Sequence, residues 1–126
     1  MGNGTRIGRV RGLGSSHQGA HHWLLQRFTA VGNLLLVLWL VFSLIAMPGS
    51  SYGTVYGWLS SRFAATAMVL LIVSTFWHAR LGMQVMMEDY LHGANRFAVL
   101  LLLNLAFVAL GVFGVVSVIR IALGGA

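Results

Sequence analysis

Three apolar runs, each about as long as a bilayer core is thick, leave this chain few folds. A helix needs about 20 mostly apolar residues to cross roughly 30 Å of hydrocarbon. Runs of that length lie at about 28–47, 63–87 and 97–119. The first carries no charge, the second is interrupted by His78 and Arg80, and the third holds Asn104 as its strongly polar residue. Pro48 and Gly49 end the first, because proline removes a donor and glycine frees the backbone. Arg120 closes the third. Composition excludes the other classes. Of 126 residues, 58% are hydrophobic and 8% charged, against about a quarter charged in a soluble domain. That is too little polar surface for a soluble monomer and too much apolar surface for a disordered chain. With no cysteine, the chain has no disulfide, iron–sulfur ligand or thiolate zinc site.

The pattern predicts an all-α membrane protein with three transmembrane helices, up-down-up, in one membrane domain over 21–126. A flexible basic segment, 1–20, precedes it. The connections, 48–62 and 88–96, are short enough to make neighbouring helices antiparallel. In the first of them, Tyr52, Tyr56 and Trp58 form an interfacial aromatic belt, and Gly49, Gly53 and Gly57 read as turn glycines rather than a helix-packing motif. Arg6, Arg9, Arg11, Arg27 and Arg96 flank one side of the bilayer, and Arg80 lies nearer that side; Arg62 and Arg120 flank the other. This asymmetry puts the N-terminus in the cytoplasm and the C-terminus outside. It also accounts for the net charge of +6 without nucleic acid as a partner. The start of the chain does not read as a cleaved signal, since its first apolar run lacks a small-residue cleavage site and two more spans follow.

Four groups of residues carry chemistry. His78 lies about 15 Å from the loop end of the second span, near mid-bilayer, where ionisable groups face the protein interior or a cofactor. Neutral imidazole is a good axial ligand for haem iron. Gly82, one turn away, removes bulk, so that a flat macrocycle can lie against the backbone. The competing reading is a structural histidine bonded to another helix. Asp89, close to three turns beyond His78 and on the same face, adjoins Tyr90 at the cytoplasmic interface. A carboxylate and a phenol there suit a lipid-soluble carbonyl that must gain protons; the plainer reading is a loop cap beside an interfacial tyrosine. Arg80, Gln84 and Glu88 recur at i, i+4 and i+8 as a polar ladder that carries the guanidinium charge towards the interface, a structural role. Before the first span stand His17, His21, His22, Trp23, Gln26, Arg27, Phe28 and Thr29. Arginine pairs bidentately with carboxylates, including haem propionates; the plainer reading is an interfacial anchor. The histidine spacing matches no tetrahedral zinc pattern.

Taken together, His-His-Trp-Leu-Leu-Gln-Arg-Phe-Thr-Ala at 21–30 and His-x3-Gly-x6-Asp-Tyr from His78 to Tyr90 resemble the small hydrophobic membrane-anchor subunit of bacterial succinate dehydrogenase, respiratory complex II. The similarity runs from about residue 17 to 120. The resemblance implies a haem b shared with a second haem-binding membrane subunit. It makes His78 an axial ligand, Tyr90 the hydrogen-bond donor to ubiquinone and Asp89 its neighbour, and puts Arg27 and His21 near the haem propionates. His17 and His22 compete with His21 for that place. It further implies an iron–sulfur subunit and a flavoprotein subunit docked on the cytoplasmic face of the bacterial inner membrane. In that setting the chain is a non-catalytic subunit of a quinone-reducing oxidoreductase. The same anchor in a quinol:fumarate reductase is the nearest alternative. A small transporter or channel, with His78, Arg80 and Asn104 along one polar path, is the alternative from another class. Against it stand the small number of spans and the lack of inverted repeats.

Overall fold

A computed structural model of the chain describes residues 19–124. The expected flexible segment falls, up to residue 18, outside the described residues, as does His17. The described residues form four helices and no strand: α1 (Gly19–Ala46), α2 (Tyr52–Leu59), α3 (Arg62–Tyr90) and α4 (Ala94–Ala122). Helices α1, α3 and α4 are long and apolar enough to cross a membrane. At 28, 29 and 29 residues each measures about 42–44 Å, longer than the roughly 30 Å hydrocarbon core. Their polar ends therefore extend into the interfacial layers.

The first connection differs from expectation. Gly53 and Gly57 are helical, inside α2, rather than turn glycines, and a Cβ at either would meet nothing within 4 Å. Local capping explains the helix. The Ser51 hydroxyl accepts the Thr54 N–H, and the Ser61 hydroxyl does the same for Ala64 at the start of α3, each satisfying a donor that a helix start leaves open. Trp58 of α2 stacks on Trp39 of α1 at 5.6 Å, and Phe63 meets Trp39 edge-on. The turn between α3 and α4 shrinks to residues 91–93. Gly93 adopts φ +86°, a conformation that side chains resist.

The long helices form an open row rather than a closed bundle. Helix α3 packs along both α1 and α4, while α1 and α4 do not pack on each other. Small residues decide this, as they do wherever lipid removes the hydrophobic drive between helices. On one flank of α3, Gln26 lies by Gly82, Thr29 by His78, Gly32 by Ser74 and Asn33 by Thr75. On the other, Gly111 of α4 seats Phe76 and Gly114 seats Ile72, with Phe76 and Phe107 edge to face. In both seams numbers rise on one helix as they fall on the other. Few side chains are buried: Ala64, Ala65, Ala67, Leu71, Leu81, Val118 and Thr29.

The polar ladder on α3 forms in part. Gln84 donates to Glu88, and Glu88 pairs with Arg96 across the turn at 3.6 Å. Arg80 does not join it. Its Nε donates to the Asn104 side-chain oxygen on α4, whose amide nitrogen in turn bonds the Leu100 carbonyl. Its guanidinium also lies over the Trp77 ring. A neutral acceptor on the neighbouring helix takes the guanidinium instead. Asn104→Leu removes that acceptor and leaves the charged donor unpaired. It should destabilise the α3–α4 pair by about 1.5–3 kcal/mol, the range for hydrogen bonds to charged groups, read as an earlier unfolding midpoint of the assembled protein in a denaturing detergent titration.

Candidate functional site

The seam between α1 and α3 brings together several polar side chains at span depth. His78 is half-buried and its Nδ1 lies 3.1 Å from the Thr29 Oγ1. Thr29 is a buried polar residue, 8% exposed. Its hydroxyl reaches back to the carbonyls of Leu25 at 2.8 Å and Gln26 at 3.1 Å. One turn towards the N-terminus of α1, Gln26 sits against Gly82: a Cβ there would stand 3.9 Å from the Gln26 Nε2. The Gln26 Oε1 is buried without a hydrogen-bond partner among the described residues. A half-buried imidazole, a missing side chain one turn away and an acceptor without a donor therefore converge on one stretch of seam. The sequence had singled out His78 and Gly82. It had not assigned roles to Thr29 and Gln26, although Gln26, Thr29 and Asn33 recur at i, i+3 and i+7, the spacing of a single helix face.

Asp89 and Tyr90 end α3. Both are exposed, Tyr90 to 80%, and neither side chain makes a hydrogen bond or ion pair among the described residues. They are open to a second molecule at the interfacial end of the seam. Arg27 and His21 are exposed on α1. Arg27 precedes Thr29 by two residues and so points about 200° away from the seam, over the Trp23 ring at 5.5 Å. His22, seven residues before Thr29, falls close to the Thr29 face and is half-buried. The fold thus brings His78, Gly82, Thr29 and Gln26 together, and leaves Arg27 and His21 on an outer flank.

An apolar groove of about 360 Å³ runs along α3 and α4, lined by Val73, Phe76, Trp77, Phe107 and Gly111 with Arg80 among its walls. It lies on the α4 flank of α3, away from the His78–Thr29 contact. His78 on one seam and the Arg80–Asn104 pair on the other do not line a common path, which removes the geometric basis of the transporter reading.

Comparison with known proteins identifies the family of the chain. The profile of the succinate dehydrogenase/fumarate reductase transmembrane subunit matches residues 1–113. The succinate dehydrogenase hydrophobic membrane anchor subunit of Rickettsia bellii is 31% identical over 115 residues, 91% of this chain and 87% of that protein. The corresponding subunit of Rickettsia conorii is 31% identical over 88 residues, 69% of this chain and 70% of its own. The succinate dehydrogenase membrane anchor subunit of Reclinomonas americana is 36% identical over 78 residues, 60% of this chain and 65% of its own. With nearly its whole length matched, three helices fit to span a membrane and relatives that are membrane anchors, this multi-pass chain belongs to the succinate dehydrogenase/fumarate reductase transmembrane subunit family.

Proposed function

We propose that the chain anchors a succinate:ubiquinone oxidoreductase in the bacterial inner membrane, shares a b-type haem with a second membrane subunit, and forms part of the ubiquinone site. The observation that carries this reading is the His78 imidazole, held at mid-span with one ring nitrogen engaged by α1 and Gly82 one turn away. A metal-ligating histidine commonly has its second ring nitrogen bonded to a neighbour in this way. The donor set is of the kind a haem takes: an imidazole nitrogen, a glycine one turn away, and no competing carboxylate on the seam at that depth. When bound, haem supplies a one-electron centre inside the membrane.

The chain's own residues do the rest. His78 would supply a nitrogen ligand to the haem iron, and Gly82 lets α1 approach α3 closely one turn away. At the interfacial end Tyr90 donates a hydrogen bond to a quinone carbonyl oxygen, and Asp89 organises water for proton delivery. Arg27 and His21 lie on the same end of the molecule as Asp89 and Tyr90, because α1 and α3 are antiparallel, and serve the propionate side. Succinate oxidation belongs to the flavoprotein subunit, with electrons passed through the iron–sulfur subunit. This chain has no reaction centre of its own.

The test is the purified complex. Its dithionite-reduced spectrum should show a b-type haem band, and succinate should drive quinone reduction. A complex that transfers electrons from succinate to quinone without any haem absorption would overturn the haem assignment. Orientation has a separate test. Six arginines against two favour a cytoplasmic N-terminus, so topology reporters at Gly2 and Ala126 should report opposite sides, with Ala126 outside. Both reporters on one side would be incompatible with three spans.

A further inference from the structure

The Thr29 hydroxyl has one proton and three neighbours that compete for it. The Leu25 carbonyl lies at 2.8 Å, the Gln26 carbonyl at 3.1 Å and the His78 Nδ1 at 3.1 Å. Carbonyl oxygens only accept, so a bond to either of them consumes the hydroxyl proton. If the hydroxyl instead donated to His78, Oγ1 would face two carbonyl oxygens with lone pair against lone pair, one of them at 2.8 Å, with no proton between. The arrangement that satisfies every group has Thr29 donating back along its own helix, as threonines in membrane helices do, while Oγ1 accepts from the ring. The imidazole proton then sits on Nδ1, and Nε2 carries a bare lone pair. Thr29 is buried, so water does not substitute for it.

We infer that Thr29 is the positioning residue of His78: its back-bonded hydroxyl fixes the ring in the Nδ1–H tautomer and presents Nε2 to the haem iron. The inference rests on the reading of His78 as axial ligand. It gives the buried hydroxyl on this polar face of α1 a role towards the histidine opposite it. The contact also couples α1 to haem binding, since the acceptor belongs to one helix and the ligand to another. A bonded Nδ1–H raises the basicity of the ligating nitrogen, and loss of such a partner costs about 10–100-fold in metal affinity.

Thr29→Val preserves the branched shape and removes the acceptor; Thr29→Ser keeps the hydroxyl. Both are compared in the assembled complex by haem content per flavin, haem release to an apo-haem acceptor protein, and haem midpoint potential. Thr29→Val should release haem about tenfold or more faster and raise the potential, because a less basic ligand stabilises the ferric state less. Thr29→Ser should restore both. A valine variant indistinguishable from wild type, or a serine variant as impaired as valine, would overturn the positioning role. Should the valine variant fail to assemble, histidine labelled with nitrogen-15 in the wild-type complex, with its haem in the reduced, diamagnetic low-spin state, supplies the decision. A proton on the His78 Nδ1 supports the inference, and a bare Nδ1 overturns it. His78→Ala separates the two claims. If that variant keeps an unchanged low-spin spectrum, the ligand reading itself fails; if it changes the spectrum while Thr29→Val does not, only the role of Thr29 fails.

Discussion

Complex assembled with His78→Ala is expected to lose the low-spin spectrum of a six-coordinate b-type haem. Alanine takes away the one neutral nitrogen ligand that the α1–α3 seam offers at mid-span and leaves the Thr29 hydroxyl with nothing to accept from. The neighbours at one turn, Ser74 and Gly82, offer a hydroxyl, a weak ligand beside imidazole, and no side chain at all. Absorption and electron paramagnetic resonance spectra of the oxidised complex should shift to a high-spin or mixed species, or show haem loss. An unchanged low-spin spectrum removes His78 as ligand. Succinate oxidation measured with an acceptor that draws electrons from the soluble subunits should stay near the wild-type rate, which separates a haem effect from failed assembly.

Tyr90→Phe carries the second large effect, on quinone turnover. Phenylalanine keeps the ring and deletes the donor. Tyr90 makes no hydrogen bond within the described residues, so the substitution disturbs no internal contact and its cost falls on the bound quinone. If the bond is worth 1.4 kcal/mol in the transition state, about the upper end of a neutral hydrogen bond, the rate falls about tenfold. Quinone reduction should drop by that factor or more while the artificial-acceptor activity and the haem spectrum persist, since Tyr90 is about 120° around the helix from His78. Intact quinone turnover makes Tyr90 an interfacial anchor only. Loss of the artificial-acceptor activity as well points to assembly instead.

The long helices were legible because lipid imposes its own thickness on a sequence. The runs at 63–87 and 97–119 each lie inside an observed helix, and 28–47 overruns α1 by Met47 alone. Their extensions were not legible: 19–27 holds His21, His22, Gln26 and Arg27, polar residues that a hydropathy reading assigns to solvent although they continue the helix into the interface. Helix α2 was hidden for a different reason. Pro48 and three glycines signal turns, and eight residues are too few to display a helical period. Candidate residues could be named where one helix carries the pattern, as with His78, Gly82, Asp89 and Tyr90 on α3; the roles given to them remain proposals. Thr29 and Gln26 gain their meaning from a helix 49 residues on in the case of Thr29, which no local spacing encodes. The Arg80 ladder failed the same way. Helical geometry offered Gln84, and the fold supplied Asn104 from α4.

The open row has a consequence for the life of the chain before assembly. Stability that comes from binding a partner is set by the partner's concentration. A row in which two of three spans pack on one side only, with Phe28, Phe63, Phe97 and Phe113 all more than 70% exposed, draws much of its integrity from whatever covers those sides. An orphan copy, made in excess over its companions, therefore has a low barrier to local opening and is a ready substrate for membrane proteases. Abundance of this subunit should follow that of its scarcest companion rather than its own rate of synthesis: a fold that enforces stoichiometry by being unfinished alone.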